Sequence, residues 1–507
     1  MKDKGTVYLV GAGPGDAGLL TLRGAELLGR ADVVVYDGLV NRDLLDLARK
    51  DAEMIYGGKS PRERRVPQPD LNALLISKAR DGKCVVRLKG GDPYTFGRGG
   101  EEAAELSQAG IPFEVVPGVS SAVAAANYAG IPLTHRDHCS GFQVITGHSA
   151  PGGETGDVDW AQVARNPDTR VIMMGTRQIR SIAKTLIGHG ADAKTPVAMI
   201  QWGTTPHQQS IEGTLATIAD IADASNIAPP TVIVIGEVVR MRKTLNWFEK
   251  RPLFGKRVVV TRARDRAGSM AHKLRELGAD VLEIPTIKTA PPKQTDALKD
   301  AIIALHEYDW VVFTSPNGVT TFFDLFFRGF DDLRDIGGVR IAAVGPMTAA
   351  RIQELHLRVD LVPEQYTAIK VAEAFAKFES IENLRILLMR AEVANRELPE
   401  ILEAAGAIVD DVACYRTEPE TEDRNGAAAR LQEEGADWIA FSSGSTVENF
   451  NARFDLAALT KKFPGIKLAS IGPETSRAIR DLGQEPTLES RQHTIDALIQ
   501  AICRSKG

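Results

Sequence analysis

Two glycine-rich loops follow strand-like runs in the first half of the chain, and their residue types suit ligand binding through the main chain. Thr6 to Val10 leads into Gly11-Ala12-Gly13-Pro14-Gly15-Asp16, and Val85 to Leu88 leads into Lys89-Gly90-Gly91-Asp92-Pro93-Tyr94-Thr95-Phe96-Gly97-Arg98-Gly99-Gly100-Glu101-Glu102. Glycines let a ligand approach the backbone closely, and Asp92 can accept hydrogen bonds from a ligand's hydroxyl or ammonium groups. The first loop invites a dinucleotide-binding reading, which fails on spacing. Asp16 stands where that fingerprint wants a third glycine, and Pro14 removes an amide donor. The steric alternative is a tight turn whose glycines serve only to make room. Metal chemistry has weaker support. His135, His138 and His148 lack partner cysteines or carboxylates at ligand spacing.

The elements that must position these loops are short apolar runs alternating with amphipathic stretches, the pattern of an α/β fold with buried strands. Candidate strands in the first half are Thr6 to Val10, Val33 to Tyr36, Val85 to Leu88, Val144 to Thr146 and Val232 to Ile235. At 507 residues the chain has room for several compact units. Its 43% hydrophobic and 25% charged residues form a globular balance, and a net charge of -5 gives no global attraction to nucleic acid or an anionic membrane. The longest apolar runs are strand-sized, and Met1 to Gly5 lacks the apolar core of a signal peptide. Cys84, Cys139, Cys414 and Cys503 are scattered, which predicts free thiols in a reducing compartment, hence a cytoplasmic location.

A fresh strand, Val258 to Val260, follows a polar and aromatic stretch near Lys243 to Gly255, and a domain boundary is expected there. Beyond it the sequence repeats itself. Arg257-Val-Val-Val-Thr-Arg262 returns as Arg385-Ile-Leu-Leu-Met-Arg390, and Asp309-Trp310-Val-Val-Phe313-Thr-Ser315 returns as Asp437-Trp438-Ile-Ala-Phe441-Ser-Ser443. The Gly278-Ala-Asp turn recurs as Gly406-Ala-Ile, and Val344-Gly-Pro-Met-Thr348 as Ile471-Gly-Pro-Glu-Thr475. Motifs recurring in one order at nearly one offset predict two similar parallel-sheet lobes with a cleft between them.

With Val116-Pro117-Gly118-Val119-Ser120-Ser121-Ala122 and Pro132-Leu133-Thr134-His135-Arg136, the two glycine loops make the first half resemble the uroporphyrinogen-III C-methyltransferases, within the tetrapyrrole methylases. The resemblance covers about Gly5 to Asn246 and implies a two-lobed methylase fold over 1–247. It implies S-adenosylmethionine as methyl donor, contacted at Pro14, Gly90, Gly91, Asp92, Thr95, Ser120, Ser121, Met174 and Gly203. Asp37 matches the family's proton acceptor and Lys59 its proton donor. Ala17 stands where many members have proline, and Tyr94-Thr95 replaces the commoner Phe-Ile pair. The implied acceptor is rich in carboxylates, so Lys59, Arg62, Arg64 and Arg65 become a candidate docking edge; a solvated basic loop is the alternative. A homodimer through this domain is implied by the resemblance alone.

From about Gly255 to Ile502 the chain resembles uroporphyrinogen-III synthase. The resemblance rests on Phe313-Thr-Ser315-Pro316-Asn317-Gly318, Val344-Gly345-Pro346-Met347-Thr348-Ala349, Cys414-Tyr415-Arg416-Thr417, Phe441-Ser442-Ser443 and Ile471-Gly472-Pro473-Glu474-Thr475. It implies a synthase domain over 255–507 without a cofactor, one lobe from about 255–286 plus 418–507 and the other from about 288–415. The chain would cross between lobes near Val281 to Thr289 and return near Asp411 to Thr417. Tyr415 is the matched acid or hydrogen-bond donor for loss of hydroxide from hydroxymethylbilane. Its repeat counterpart, Ile287, shows that duplication alone does not require a phenol there. Ser315, Thr348, Ser443 and Thr475 are expected at loop starts after strands, as substrate-carboxylate ligands, helix N-caps or both. The two halves together imply ring closure with inversion of the last ring, then two methyl transfers giving precorrin-2 for siroheme or cobalamin supply. No segment is left for a dehydrogenase or ferrochelatase module. The alternatives are a methylase of a later corrin intermediate, and a tetrapyrrole-binding protein whose synthase-like half is inactive.

Overall fold

Runs such as Val33-Val-Val-Tyr36 and Thr231-Val-Ile-Val-Ile235 are rich in β-branched residues and buried except at Tyr36, so they form strands covered on both faces. The computed structural model describes residues 5–58, 68–147, 158–261, 264–423 and 425–505. Its strands form four five-stranded sheets. Val7–Gly11 (β1), Val33–Tyr36 (β2), Glu53–Tyr56 (β3), Val85–Lys89 (β4) and Phe113–Val116 (β5) make a wholly parallel sheet in the order β3-β2-β4-β1-β5. Helices connect these strands, as parallel pairing requires. Phe142–Thr146 (β6), Thr169–Met173 (β7), Pro196–Gln201 (β8), Gln209–Thr214 (β9) and Thr231–Ile235 (β10) make the second, in the order β6-β7-β10-β8-β9. It is mixed: β6 and β7 pair in parallel, and the other neighbouring pairs are antiparallel.

The second half builds its sheets from a chain that leaves one and comes back. Arg257–Val260 (β11) and Asp280–Glu283 (β12) begin the third sheet; Ile287–Ala290 (β13), Trp310–Phe313 (β14), Arg340–Ala343 (β15), Arg385–Ala391 (β16) and Ile408–Pro419 (β17) make the fourth. Trp438–Phe441 (β18), Lys467–Ser470 (β19) and Leu488–Glu489 (β20) then complete the third. The orders are β12-β11-β18-β19-β20 and β13-β17-β16-β14-β15. Under the repeat, β12, β11, β18 and β19 correspond to β17, β16, β14 and β15, and they occur in the same order. Even the edge agrees: the pair Ala469–Leu488 of β19 and β20 has its counterpart 127 positions earlier in the bridge Ala342–Leu361. The fourth sheet departs from the parallel pattern at β13, which pairs antiparallel with β17.

Two compact units result. One comprises the described residues of Met1–Thr261, Arg266–Ile284 and Glu422–Gly507, and the other is chiefly Pro285–Thr421. In the latter, the helix Pro316–Gly329 buries Phe322, Phe323 and Phe326 with Phe313 of β14. Phe326 is fully buried, stacked 4.8 Å from Phe330. Phe326→Ala is expected to destabilise this unit by about 3–5 kcal/mol, because a ring-sized void opens where neighbours cannot collapse. Hydrogen exchange of the Pro316–Gly329 amides checks this; unchanged protection would contradict it. No helix among the described residues is long and apolar enough to cross a membrane.

Candidate functional site

Three backbone segments meet where β1, β4 and β5 end. Gly13 and Gly91 exchange main-chain hydrogen bonds of 2.7 and 3.2 Å. A Cβ added to Gly118 would lie 2.2 Å from the Gly91 carbonyl oxygen and 2.7 Å from the Gly11 Cα, so these positions exclude side chains by contact. Asp92 fastens the second loop. Its Oδ1 accepts from the amides of Tyr94 and Thr95, each at 2.9 Å, and its Oδ2 accepts from the Gly118 amide at 3.1 Å. This carboxylate, expected to face a ligand, is thus engaged three times by the backbone of its own site.

The loops open onto a cavity of about 1080 Å³. Pro14, Gly90, Gly91, Asp92, Thr95, Ser120, Ser121, Met174 and Gly203 all line it, although they come from five separate stretches of sequence. Ser120 also caps the helix Ser121–Tyr128, its Oγ accepting from the Ala122 amide at 3.3 Å. Gly203 lies against Ala125, whose Cβ would be 2.5 Å from an added Cβ. Phe96, Met174, Trp202 and Thr204 line the same space with positive φ values of 49–72°, a costly conformation for residues with side chains. Thr204 is held: its Oγ1 accepts from the Asp16 amide at 3.1 Å, and its own amide donates to Gln208 Oε1 at 2.9 Å. Asp16 in turn accepts from the Tyr128 hydroxyl at 2.8 Å, and this bond together with burial pushes the phenol well above its ordinary range. Burial is the larger cause.

Asp37 follows β2, and its neighbours Gly38 and Leu39 line the cavity. Its Oδ1 accepts from Arg87 Nη2 at 2.5 Å. Arg87 belongs to a buried network that sequence reasoning missed: Glu102 Oε1 receives Arg87 Nε at 3.3 Å, Lys89 Nζ at 2.8 Å and Gln68 Nε2 at 3.0 Å. Burial pushes the Lys89 ammonium below its ordinary value and adjacent Arg87 adds to this, with Glu102 opposing. The signal was available. Arg87 and Lys89 alternate within a strand that is buried throughout, so both need buried partners. Lys59, Arg62, Arg64 and Arg65 lie outside the described residues, as does His148. His135 and His138 have ring centroids 5.0 Å apart, and among the described residues no cluster of His, Cys, Asp or Glu is arranged to hold a metal ion.

In the Pro285–Thr421 unit, Ser315 caps the helix Pro316–Gly329. Its Oγ accepts from the Gly318 amide at 3.1 Å and donates to the Tyr415 hydroxyl at 3.0 Å. Tyr415 sits beside a register shift, since Arg390 pairs with Ala413 but Ala391 pairs with Tyr415. Such a bulge re-aims the side chains around it. The skipped residue, Cys414, is fully buried; its thiol donates to the Arg390 carbonyl at 3.2 Å, and burial pushes its pKa up to about 12. Thr348 departs from expectation: it lies in the first turn of the helix Pro346–Gln353 and is buried, while Gly345 takes the cap position. In the other unit Ser443 caps the helix Gly444–Phe454 in a reciprocal box with Thr446. Thr475 is buried inside Pro473–Asp481, which Gly472 caps. In both threonine motifs the preceding Gly-Pro pair starts the helix early, with proline in its first turn, so the hydroxyl falls inside.

Residues 6–219 match the family of tetrapyrrole (corrin/porphyrin) methylases, and residues 268–500 match uroporphyrinogen-III synthase HemD. Over 505 residues the chain is 37% identical to a porphyrin biosynthesis protein HemD of Ruminiclostridium josui, covering 100% of this chain and 99% of that one. It is 42% identical over 332 residues to a uroporphyrinogen-III C-methyltransferase of Bacillus subtilis, covering 66% of this chain and 68% of the relative. A siroheme synthase of Nitrosomonas europaea is 50% identical over 244 residues, which are 48% of this chain and 51% of that protein. The chain therefore belongs to the HemD-type porphyrin biosynthesis enzymes, bifunctional proteins in which a tetrapyrrole methyltransferase domain is joined to a uroporphyrinogen-III synthase domain.

Proposed function

We propose that this enzyme closes hydroxymethylbilane to uroporphyrinogen III with inversion of the last ring, and then methylates that product twice to give precorrin-2. The observation that carries the methyltransferase reading is the convergence of Pro14, Gly90, Gly91, Asp92, Thr95, Ser120, Ser121, Met174 and Gly203 on one cavity. That cavity fits S-adenosylmethionine. The glycine backbone offers close approach, Ala125, Met173, Ile200 and Val232 supply apolar wall, and the volume exceeds what the donor alone would fill. When bound, S-adenosylmethionine supplies an electrophilic methyl group. The chain's own contribution is to hold the acceptor carbon in line and to take up the ring proton released afterwards. Asp37 serves as that acceptor. The buried Arg87 donates to one of its carboxylate oxygens and so holds the side chain in a fixed direction. Lys59 serves as the matching donor, and Arg62, Arg64 and Arg65 as cations for acceptor carboxylates.

For ring closure, Tyr415 donates to the departing hydroxyl, with Ser315 fixing the phenol. The capped helices after Ser315 and Ser443, and the helix starts at Pro346 and Pro473 just before Thr348 and Thr475, each offer amides to a bilane carboxylate. Tyr415→Phe is expected to slow cyclisation about 10- to 100-fold, equivalent to one hydrogen bond to a developing charge. Methylation of supplied uroporphyrinogen III should stay at the wild-type rate; an unaltered cyclisation rate would remove Tyr415 from the mechanism.

The complete reading is tested by giving purified protein fresh hydroxymethylbilane, with and without S-adenosylmethionine, and resolving the products by isomer and mass. Type-III uroporphyrinogen without the donor, and its dimethylated product with it, are expected. The non-inverted isomer alone, as in a control without enzyme, would overturn the synthase assignment.

A further inference from the structure

The wall of the methyl-transfer cavity is not made by the first half of the chain alone. Arg275, Asp280, Asn425 and Arg430, all from the discontinuous part of the second half, line the same space. They are fastened there by polar contacts. Arg275 Nη2 donates to Asp43 Oδ2 at 2.7 Å, Asn425 Nδ2 donates to Asp46 Oδ2 at 3.2 Å, and His207 Nε2 lies 3.1 Å from Asp280 Oδ2. The first two contacts reach the short 3-10 helix Arg42–Leu47, which directly follows Asp37 to Asn41. Asn41 ties that loop to the first glycine loop, its Nδ2 donating to the Gly15 carbonyl at 2.7 Å.

We propose that this part of the synthase half completes the acceptor site of the methyltransferase, with Arg430 and Arg275 offering guanidinium groups to carboxylates on the macrocycle. The proposal rests on the reading of the acceptor given above. Both side chains are about one-third exposed, 34% and 33%, at the cavity wall. Both are aimed by acids rather than consumed by them. Arg430 meets Asp280 through its terminal nitrogens at 3.4 and 2.7 Å, and Arg275 meets Asp43 and Glu283 through Nη2, each at 2.7 Å. A guanidinium carries five N–H donors, so each keeps donors for a carboxylate. Planar, charged and pre-aimed donors are the geometry that recognises a carboxylate rim.

The test uses the full chain with Arg430→Gln, Arg275→Gln and Arg430→Lys, following methylation of uroporphyrinogen III and, by calorimetry, binding of S-adenosylhomocysteine. Either glutamine variant should raise KM for the acceptor about five- to tenfold, with nucleoside affinity unchanged and with a shallower rise of KM with ionic strength. Arg430→Lys should recover part of the loss, since charge returns without the fork. Unchanged acceptor KM in both glutamine variants would overturn the proposal. So would a loss of acceptor and nucleoside affinity together with an unchanged salt slope, which marks a merely structural role. If the unaltered chain fails to methylate uroporphyrinogen III, the acceptor itself is misread and the proposal falls with it, a failure recognisable from the wild-type arm alone.

Discussion

Gly118→Ala should abolish measurable binding of S-adenosylhomocysteine while leaving cyclisation of hydroxymethylbilane at its wild-type rate. The methyl group would sit 2.2 Å from the Gly91 carbonyl oxygen and 2.7 Å from the Gly11 Cα, and both obstacles are backbone. No side-chain rotation relieves such contacts, so the ends of β1, β4 and β5 must move apart. Overpacking of this kind costs about 1–3 kcal/mol or more in stability. The larger effect falls on the ligand, because the bridge between Gly13 and Gly91 and the Asp92–Gly118 bond both span the displaced segments. Gly100→Ala is the matched control. An added Cβ there meets nothing within 4 Å, and the residue lies in the helix Gly99–Gln108, so a gain of about 0.5–1 kcal/mol is expected. Calorimetric titration of both variants decides the matter, and wild-type affinity in Gly118→Ala would show that the three strand ends do not form the site.

Asp37→Asn should lower kcat for methyl transfer by about 10²- to 10³-fold, within the range of a positioned general base. The substitution is nearly isosteric and keeps an acceptor for Arg87, so nucleoside binding and KM for the acceptor should change little. Cyclisation should be unaffected. If methylation and cyclisation fell together, separate sites would be contradicted; if neither fell, Asp37 would be reduced to a structural partner of Arg87. Arg87 is buried with Glu102 and Lys89, so its own removal would take one of two cations from that buried carboxylate and would confuse chemistry with stability.

The parts of this molecule written locally were legible from residues alone. Apolar runs marked the strands because each buried strand needs a short β-branched segment, and the duplication announced two sheets of like order because the repeat carried whole strand-helix units. The glycine loops were legible because their conformations demand the residue type. Contacts made by distant side chains left weaker traces. Arg87 and Lys89 were visible as misplaced charges inside a buried strand, yet nothing nearby named Glu102 as their partner. Asp92 was read from sequence as a ligand contact and not as the fastener of its own loop, since its acceptors serve backbone amides that come from two segments. Thr348 and Thr475 looked like loop residues until proline fixed where their helices begin. The contribution of Arg275 to a cavity in the first half left no local trace, because its partner Asp43 lies 232 positions away.

The return of the chain to the third sheet has a consequence for biogenesis. During synthesis β11 emerges long before β18, the neighbour on its inner edge; the bond from Thr261 to Ala440 joins residues 179 positions apart. At ribosomal speeds of about 5–20 residues per second, that edge waits for roughly 10–35 s with its backbone groups unpaired. Over the same interval the methyltransferase half is already translated, while Asn425 and Arg430, which line its cavity, do not yet exist. A nascent chain stalled before residue 425 would therefore carry both an exposed strand edge, the usual seed of aggregation, and an unfinished cavity wall. Translation past Arg430, rather than completion of the first half, sets the earliest moment at which that wall can close.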